Sequence, residues 1–243
     1  MASAAPRKKK PKTLLVDLDG TLLDNDEFTL TLSFFSKILS RLKRFGRMRV
    51  LKGARAIFKE FETASETEVN AVRFSRVFGA RLGLGQVEAR ALLEGEMRAV
   101  FPKLGKHFEP SPGAAEFLAW AKGRYPMVLA TNPVWPQDII ELRLRWAGHA
   151  AETFDWVTDW TKMRAVKPLP EYYKGILEAR GLMASECLMI GDSKKKDLPA
   201  QKLGIPVFIL DDDYRDRDEP IVKRIRGSDA HKGNFLGLKK MLG

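Results

Sequence analysis

The stretch that most constrains this chain is residues 13–24, with the sequence TLLVDLDGTLLD. Its apolar run, Leu14–Val16, is typical of a buried strand in a parallel sheet. The strand ends at one carboxylate, Asp17, and a second, Asp19, follows before a glycine that permits a sharp turn. Two acids beside a buried strand cost free energy unless positive charge lies close to them. The pair therefore indicates a chemical role, although aspartates at such a position can also simply stabilise a turn.

Three further short motifs follow at strand ends or in connections. In chain order they are Thr131-Asn132 after a predicted strand, Lys167-Pro168, and Gly191-Asp192-Ser193 with Asp197 beyond it. Each alone is compatible with a turn, a solvated lysine or a strand-to-helix connection. As an ordered set that begins with DLDGTLLD, they resemble the motifs of the haloacid dehalogenase-like hydrolase superfamily. The resemblance extends over about residues 13–210.

The resemblance implies a magnesium site. In it, the Asp17 side chain, the Asp19 main-chain carbonyl and the Asp192 side chain would hold Mg²⁺, and Asp197 would support the site from close by. Carboxylates that are crowded into one crevice repel one another, so such a site needs positive charge. A hard divalent cation relieves that repulsion, and magnesium prefers oxygen ligands.

The resemblance also implies phosphoryl transfer. Asp17 would attack phosphorus to form an aspartyl-phosphate, and Asp19 would act as general acid and then general base. Thr131 and Asn132 would hold the phosphate, and Lys167 would neutralise the nucleophile. Superfamily members that resemble dehalogenases use the first aspartate without magnesium and generally lack an acid at the second position. The presence of Asp19 therefore favours phosphate ester chemistry.

The periodicity of apolar residues predicts an α/β fold with a helical insert. Between Asp24 and about His107 the spacing is helical and no strand is indicated. The first predicted apolar stripe is Phe28, Leu32, Phe35, Leu39 and Leu42. From Glu109 onward helices and strands alternate, which indicates a parallel sheet covered by helices, with ligands at the carboxyl ends of its strands.

These patterns predict three parts of the chain. Residues 13–24 and 108–243 would form a Rossmann-like catalytic core, and residues 25–107 an inserted all-helical cap domain like that of one branch of the superfamily. Residues 1–12 read as a flexible basic arm.

The net charge of +11 is unevenly distributed. Residues 25–107 carry sixteen basic and nine acidic residues, and residues 37–59 carry nine basic residues and no acid. A solvated cationic face explains such a stretch, and so does attraction of an anionic substrate. A third explanation is contact with an anionic membrane surface or with nucleic acid.

Composition excludes several classes of protein. The single cysteine, Cys187, permits no intrachain disulfide and no zinc finger. The sequence has no apolar run long enough to span a membrane, and its basic N-terminus lacks the apolar segment of a secretory signal. We therefore expect a cytoplasmic protein.

The expected function is that of a magnesium-dependent phosphatase that acts on a small, anionic, phosphorylated metabolite. Two alternatives remain open at this stage. A phosphomutase of the same superfamily also needs both aspartates of the first motif. A non-catalytic protein that binds nucleic acid or a membrane surface could carry the same fold.

Overall fold

The computed structural model describes residues 10–243, so most of the predicted basic arm lies outside the described residues. Its strands form a large sheet and a separate two-stranded sheet. The strands are β1 (Thr13–Val16), β2 (Leu23–Asn25), β3 (Phe108–Pro110), β4 (Met127–Leu129), β5 (Trp156–Val157), β6 (Cys187–Gly191), β7 (Val207–Leu210), β8 (Val222–Arg224) and β9 (His231–Gly233).

The large sheet has the strand order β5-β4-β1-β6-β7-β9-β8. All neighbouring strands are parallel, except that β8 runs antiparallel to β9. Strand β1 lies between β4 and β6, and each of its residues is buried. The predicted Rossmann-like parallel sheet is thus confirmed. The carboxyl ends of β1, β4 and β6 meet at one edge of it.

Helices cover both faces of this sheet. The helices are α1 (Glu27–Arg41), α2 (Arg47–Glu60), α3 (Asn70–Leu82), α4 (Gln86–Val100), α5 (Ala114–Ala121), α6 (Gln137–Trp146), α7 (Pro170–Arg180) and α8 (Phe235–Leu242). Leu14 and Val16 of β1 point to the core shared with α5, α6 and α8, whereas Leu15 points to the core shared with α7. None of the helices within residues 10–243 is long and apolar enough to cross a bilayer.

Helices α1 to α4 form the helical insert, which lies between β2 and β3 in the chain. Strands β2 and β3 pair antiparallel, so the chain leaves the sheet domain and returns to it at adjacent positions. This pair could not be predicted from the sequence, because a three-residue strand is too short to show a period of two. The helical character of the insert is as predicted.

The predicted buried stripe of α1 is partly wrong. Phe28 and Leu32 are 78% and 62% exposed, whereas Leu30, Phe34 and Ile38 pack against the core. Both stripes have helical spacing, so periodicity alone could not decide between them. The side chain of Asp26 fixes the start of the helix by accepting hydrogen bonds from the amides of Phe28 and Thr29. Packing against the core then selects the face that carries Leu30, Phe34 and Ile38.

Arg73 of α3 ties the helical insert to the sheet domain. Its buried guanidinium donates to the carbonyl oxygens of Glu60 (2.8 Å), Thr63 (3.0 Å) and Arg164 (3.0 Å). It also forms an ion pair with the Glu60 carboxylate at 3.0 Å. These bonds connect the end of α2 and the following loop to a loop of the sheet domain.

We expect Arg73→Met to lower the free energy of unfolding by roughly 2–4 kcal/mol, because it leaves buried carbonyls and a carboxylate without donors. Urea unfolding followed by circular dichroism measures this loss. The matched control is Arg76→Met on the same helix, whose ion pair with Glu68 is half exposed and contributes less than about 1 kcal/mol. Equal losses in the two variants would contradict the assignment of Arg73 as the tie.

Candidate active site

Three acidic residues of the predicted motifs meet at the carboxyl edge of the sheet, and the carboxylate of Asp19 is not among them. Asp17 directly follows β1 and Asp192 directly follows β6, and the Asp17 amide donates to the carbonyl of Ile190 at 2.9 Å. Carboxylate oxygens of Asp17, Asp192 and Asp197 all lie within 4.8 Å of one another. The structure therefore brings together residues that are about 180 positions apart in the sequence.

Lys167 lies between two of these carboxylates. Its ammonium nitrogen is 3.0 Å from Oδ1 of Asp17 and 2.7 Å from Oδ1 of Asp197. Burial alone would lower the pKa of Lys167, but the two carboxylates raise it well above the usual value. Burial also raises the pKa of Asp17, and the charge of Lys167 offsets that rise only in part. Lys167 is therefore a permanent buried cation.

The cluster carries more negative than positive charge. Three carboxylates share one ammonium, and Asp192 has no ion-pair partner within residues 10–243. Burial, together with the charges of Asp17 and Asp197, raises the pKa of Asp192 to about 7. When all three acids are ionised the cluster has a net charge of about −2, which a divalent cation would balance. An all-oxygen donor set is what magnesium prefers, so these residues fit the ion.

Two glycines allow the carboxylates to approach the main chain so closely. A Cβ atom at Gly20 would collide with the carboxylate of Asp192, and one at Gly191 would collide with the carboxylate of Asp197. Gly20 also has a φ of 73°, a backbone conformation that favours glycine. Both glycines of the sequence motifs therefore have a steric explanation.

Thr131 and Asn132 follow β4 on the same edge. Thr131 is fully buried, and its Oγ1 atom has no hydrogen-bond partner among the described residues. Its carbonyl accepts hydrogen bonds from the hydroxyls of Thr158 (2.7 Å) and Tyr172 (2.9 Å). Oδ1 of Asn132 accepts a hydrogen bond from the Lys167 amide at 3.1 Å. Asn132 thus positions the main chain of Lys167, and its predicted contact with phosphate stays a prediction.

Arg143 of α6 is a site residue that the sequence analysis missed. Its guanidinium forms an ion pair with the carboxylate of Asp19, and its Nε and Nη1 atoms have no partner among the described residues. Burial lowers the pKa of Arg143 to about 10, against the opposing effect of Asp17. Its helical spacing from Ile139 and Ile140 could have indicated that Arg143 is buried, but not which residue it contacts.

Arg215 is the second missed residue, and it comes from the acidic segment after β7. Its guanidinium donates to the carbonyl of Gly20 at 2.6 Å and forms an ion pair with Asp24. The hydroxyl of Ser111 donates to the same Asp24 carboxylate at 2.7 Å. Arg215 thereby holds both ends of the first motif's turn. No pattern in the sequence around it could have indicated this contact.

A mostly parallel Rossmann-like sheet with helices on both faces, a helical insert, and a buried lysine among carboxylates at the strand ends together define the class of α/β protein to which this chain belongs. Residues 11–203 match the family model of haloacid dehalogenase-like hydrolases. The chain belongs to that family, which confirms the resemblance read from its motifs.

Proteins similar to this chain include a haloacid dehalogenase and a phosphatase. It is 25% identical over 231 residues to Protein CbbY, plasmid, of Cupriavidus necator, with coverage of 85% of this chain and 81% of that protein. A structure of 2-haloacid dehalogenase from Pseudomonas syringae pv. tomato DC3000 has a TM-score of 0.62 and 19% identity, and covers 96% of this chain and 98% of that one.

A structure of a HAD phosphatase from Thermococcus onnurineus has a TM-score of 0.56 and 21% identity, with the same coverage of 96% and 98%. At these identities the structural likeness establishes the fold and not the reaction. The choice between dehalogenase and phosphatase chemistry must therefore come from the site itself.

The raised pKa of Asp192 makes a prediction about stability. When an acid has a higher pKa in the folded protein than in the unfolded chain, its ionisation destabilises the fold. The loss of stability begins as the pH rises past the unfolded-state pKa and is complete above the folded-state pKa. We therefore expect Asp192→Asn to stabilise the metal-free protein at about pH 8 and to have little effect at about pH 4. Urea unfolding in the presence of EDTA measures both.

Asp211→Asn is the control of opposite sign. Despite partial burial, the hydrogen bond from Lys232 lowers the pKa of Asp211, so its ionised form is stabilising above the unfolded pKa. That variant should be less stable than the wild type at neutral pH and equal to it in acid. An Asp192→Asn protein that is destabilised at about pH 8 would contradict the charge imbalance in the cluster.

Proposed function

We propose that the protein is a magnesium-dependent phosphatase that hydrolyses a small phosphate monoester through an aspartyl-phosphate on Asp17. The observation that carries this proposal is the cluster of Asp17, Asp192 and Asp197 around Lys167, with its uncompensated negative charge. A dehalogenase needs no divalent cation and no acid at the position of Asp19. This chain has the acid, Asp19, and it also has an excess of negative charge in the cluster that a divalent cation would balance.

Asp17 and Asp192 would hold the magnesium ion through their side chains. The main-chain carbonyl of Asp19 would be a further ligand of the ion. Asp197 would support the site, since its Oδ2 accepts the Ser193 amide at 3.0 Å and its Oδ1 accepts from Lys167. When bound, the ion supplies positive charge that reduces repulsion between the phosphate and the carboxylates.

Asp17 then acts as the nucleophile. Its carboxylate oxygen forms a bond to phosphorus while the bond between phosphorus and the leaving oxygen breaks. The Lys167 ammonium is placed to stabilise the acyl-phosphate, because it already contacts Asp17. The unpartnered hydroxyl of Thr131 is a donor suited to a phosphate oxygen. Attack of water on phosphorus releases inorganic phosphate and restores the Asp17 carboxylate.

Asp19 moves the protons in both steps. It donates a proton to the leaving oxygen and later accepts one from the attacking water. Its ion pair with Arg143 stabilises the ionised carboxylate, so donation requires this pair to open when substrate binds. A substrate oxygen that accepts a hydrogen bond from Arg143 would break the ion pair between Arg143 and Asp19.

The chain would divide into a catalytic core and a cap. Residues 13–24 and 108–243 would be the catalytic core, and residues 25–107 a cap that moves over it. The cationic residues of α1 and α2 would attract the anionic substrate, and the protein would act in the cytoplasm.

We expect Asp17→Asn to lower kcat by about 10³-fold or more, because the amide cannot attack phosphorus. Release of inorganic phosphate from a panel of phosphorylated metabolites, with magnesium or with EDTA, measures this. The variant should remain folded because Lys167 retains Asp197 as a partner.

The control is Asp155→Asn, at the start of β5. Its carboxylate accepts the Met127 amide at 2.8 Å and lies outside the acidic cluster, so kcat should change little. Full activity in Asp17→Asn would contradict the mechanism. Product isomerisation without net phosphate release would instead indicate a phosphomutase.

A further inference from the structure

An apolar cavity of about 260 Å³ lies between the four helices of the insert and the sheet domain, which contributes Phe108, Val134, Trp135, Arg143 and Trp160 to its lining. Among the residues of the described chain that line it, only Thr31 and Arg143 are neither hydrophobic nor aromatic. Lining residues from each of the four helices include Phe34, Phe35, Val50, Ala54, Phe78 and Leu93. Protein interiors rarely leave voids larger than a water molecule, and an apolar cavity of about 150 Å³ already binds benzene. The size of the cavity thus indicates a ligand site.

The cavity has a partly open apolar rim on α2. Leu51 and Phe58 line it and are 42% and 51% exposed. Exposed apolar surface that is bordered by charged residues marks interaction sites on proteins. Lys52, Arg55 and Lys59 on the same helix are exposed, and none of them forms an ion pair with another described residue. The rim therefore suits the entry of a ligand that has an apolar part and a negative charge.

Arg143 joins this cavity to the acidic cluster. The same guanidinium that pairs with Asp19 also lines the cavity. Its Nε and Nη1 atoms, and Nε1 of the fully buried Trp160 in the lining, have no partner among the described residues. Buried donors without acceptors cost free energy, so acceptor atoms of a ligand are expected beside them.

We propose that this cavity binds the apolar part of the leaving alcohol, so that the substrate is a phosphate monoester of a hydrophobic alcohol. This rests on the proposed function, because Asp19 is there the proton donor to the leaving oxygen. The Asp17 carboxylate forms a bond to phosphorus as the bond between phosphorus and the alcohol oxygen breaks. Asp19 protonates that oxygen, and the free alcohol, whose apolar chain occupied the cavity during the reaction, then dissociates. Arg143 donates to an oxygen at the junction.

The test of this inference compares ethyl, butyl, hexyl and octyl phosphate with glycerol 3-phosphate. We expect kcat/KM to rise with chain length by up to about 4-fold per methylene until the cavity is full, which reflects burial of each methylene. Ala54→Phe projects a ring into the cavity, so it should abolish the rise in kcat/KM with chain length. Ala91→Phe, at an exposed position of α4 outside the lining, is the matched control.

A binding measurement separates this inference from the proposed function. Calorimetry with octylphosphonate on wild type and on Asp17→Asn should show binding that Ala54→Phe removes. Such binding without hydrolysis of any ester would retain the apolar site and reject the phosphatase. Hydrolysis without any dependence on chain length, in wild type and Ala54→Phe alike, would retain the phosphatase and overturn the apolar site.

If Ala54→Phe does not fold, as judged by circular dichroism, Ala54→Leu provides the second variant. Its smaller side chain fills less of the cavity, so it should shorten the alkyl chain that gives the highest kcat/KM.

A membrane surface is the alternative partner for the apolar rim. Binding to phosphatidylserine vesicles that Ala54→Phe leaves unchanged, together with no binding of octylphosphonate, would assign the rim to a membrane surface and overturn the inference.

Discussion

The contact on which the site depends is that of one buried ammonium with two buried carboxylates. Lys167 bonds Asp17 and Asp197 at once, and these three side chains come from separate connections at the edge of the sheet. Without Lys167, the carboxylates would be buried like charges that repel one another. Nearby features serve this contact: Asn132 fixes the main chain of Lys167, and Gly191 leaves room for Asp197. The pairing leaves Asp192 uncompensated, and this residual charge makes the cluster suited to a divalent cation.

A second polar contact lies between the cluster and the helical insert. Arg143 pairs with Asp19 on one side and borders the apolar cavity on the other. Under the proposed mechanism, a substrate in the cavity would contact the group that holds the proposed proton donor. Recognition of the leaving group would then be linked to release of Asp19. It also explains why a helix of the sheet domain carries a buried arginine on an apolar face, where burial is costly.

The sequence predicts the parallel sheet, and with it the meeting of Asp17 and Asp192, because both depend on local patterns. Buried strands are continuous apolar runs, and these two acids follow them directly, so their meeting at one edge follows from parallel topology. The partners of Asp19 and of Gly20 could not be predicted, because Arg143 and Arg215 approach from other elements and their contacts depend on tertiary packing. The buried face of α1 was misjudged for a related reason: the helix has apolar residues on two faces, and only packing selects one of them.

The most direct test of the charge account is titration of the metal-free protein with magnesium by calorimetry near neutral pH. We expect about one ion per chain, accompanied by release of protons, because Asp192 has a pKa of about 7 and must ionise to bind. Repeating the titration in buffers of different ionisation enthalpy counts those protons, and Asp192→Asn should remove both the binding and the release. Magnesium binding that Asp192→Asn leaves intact, or the absence of binding to the wild-type protein, would contradict the account.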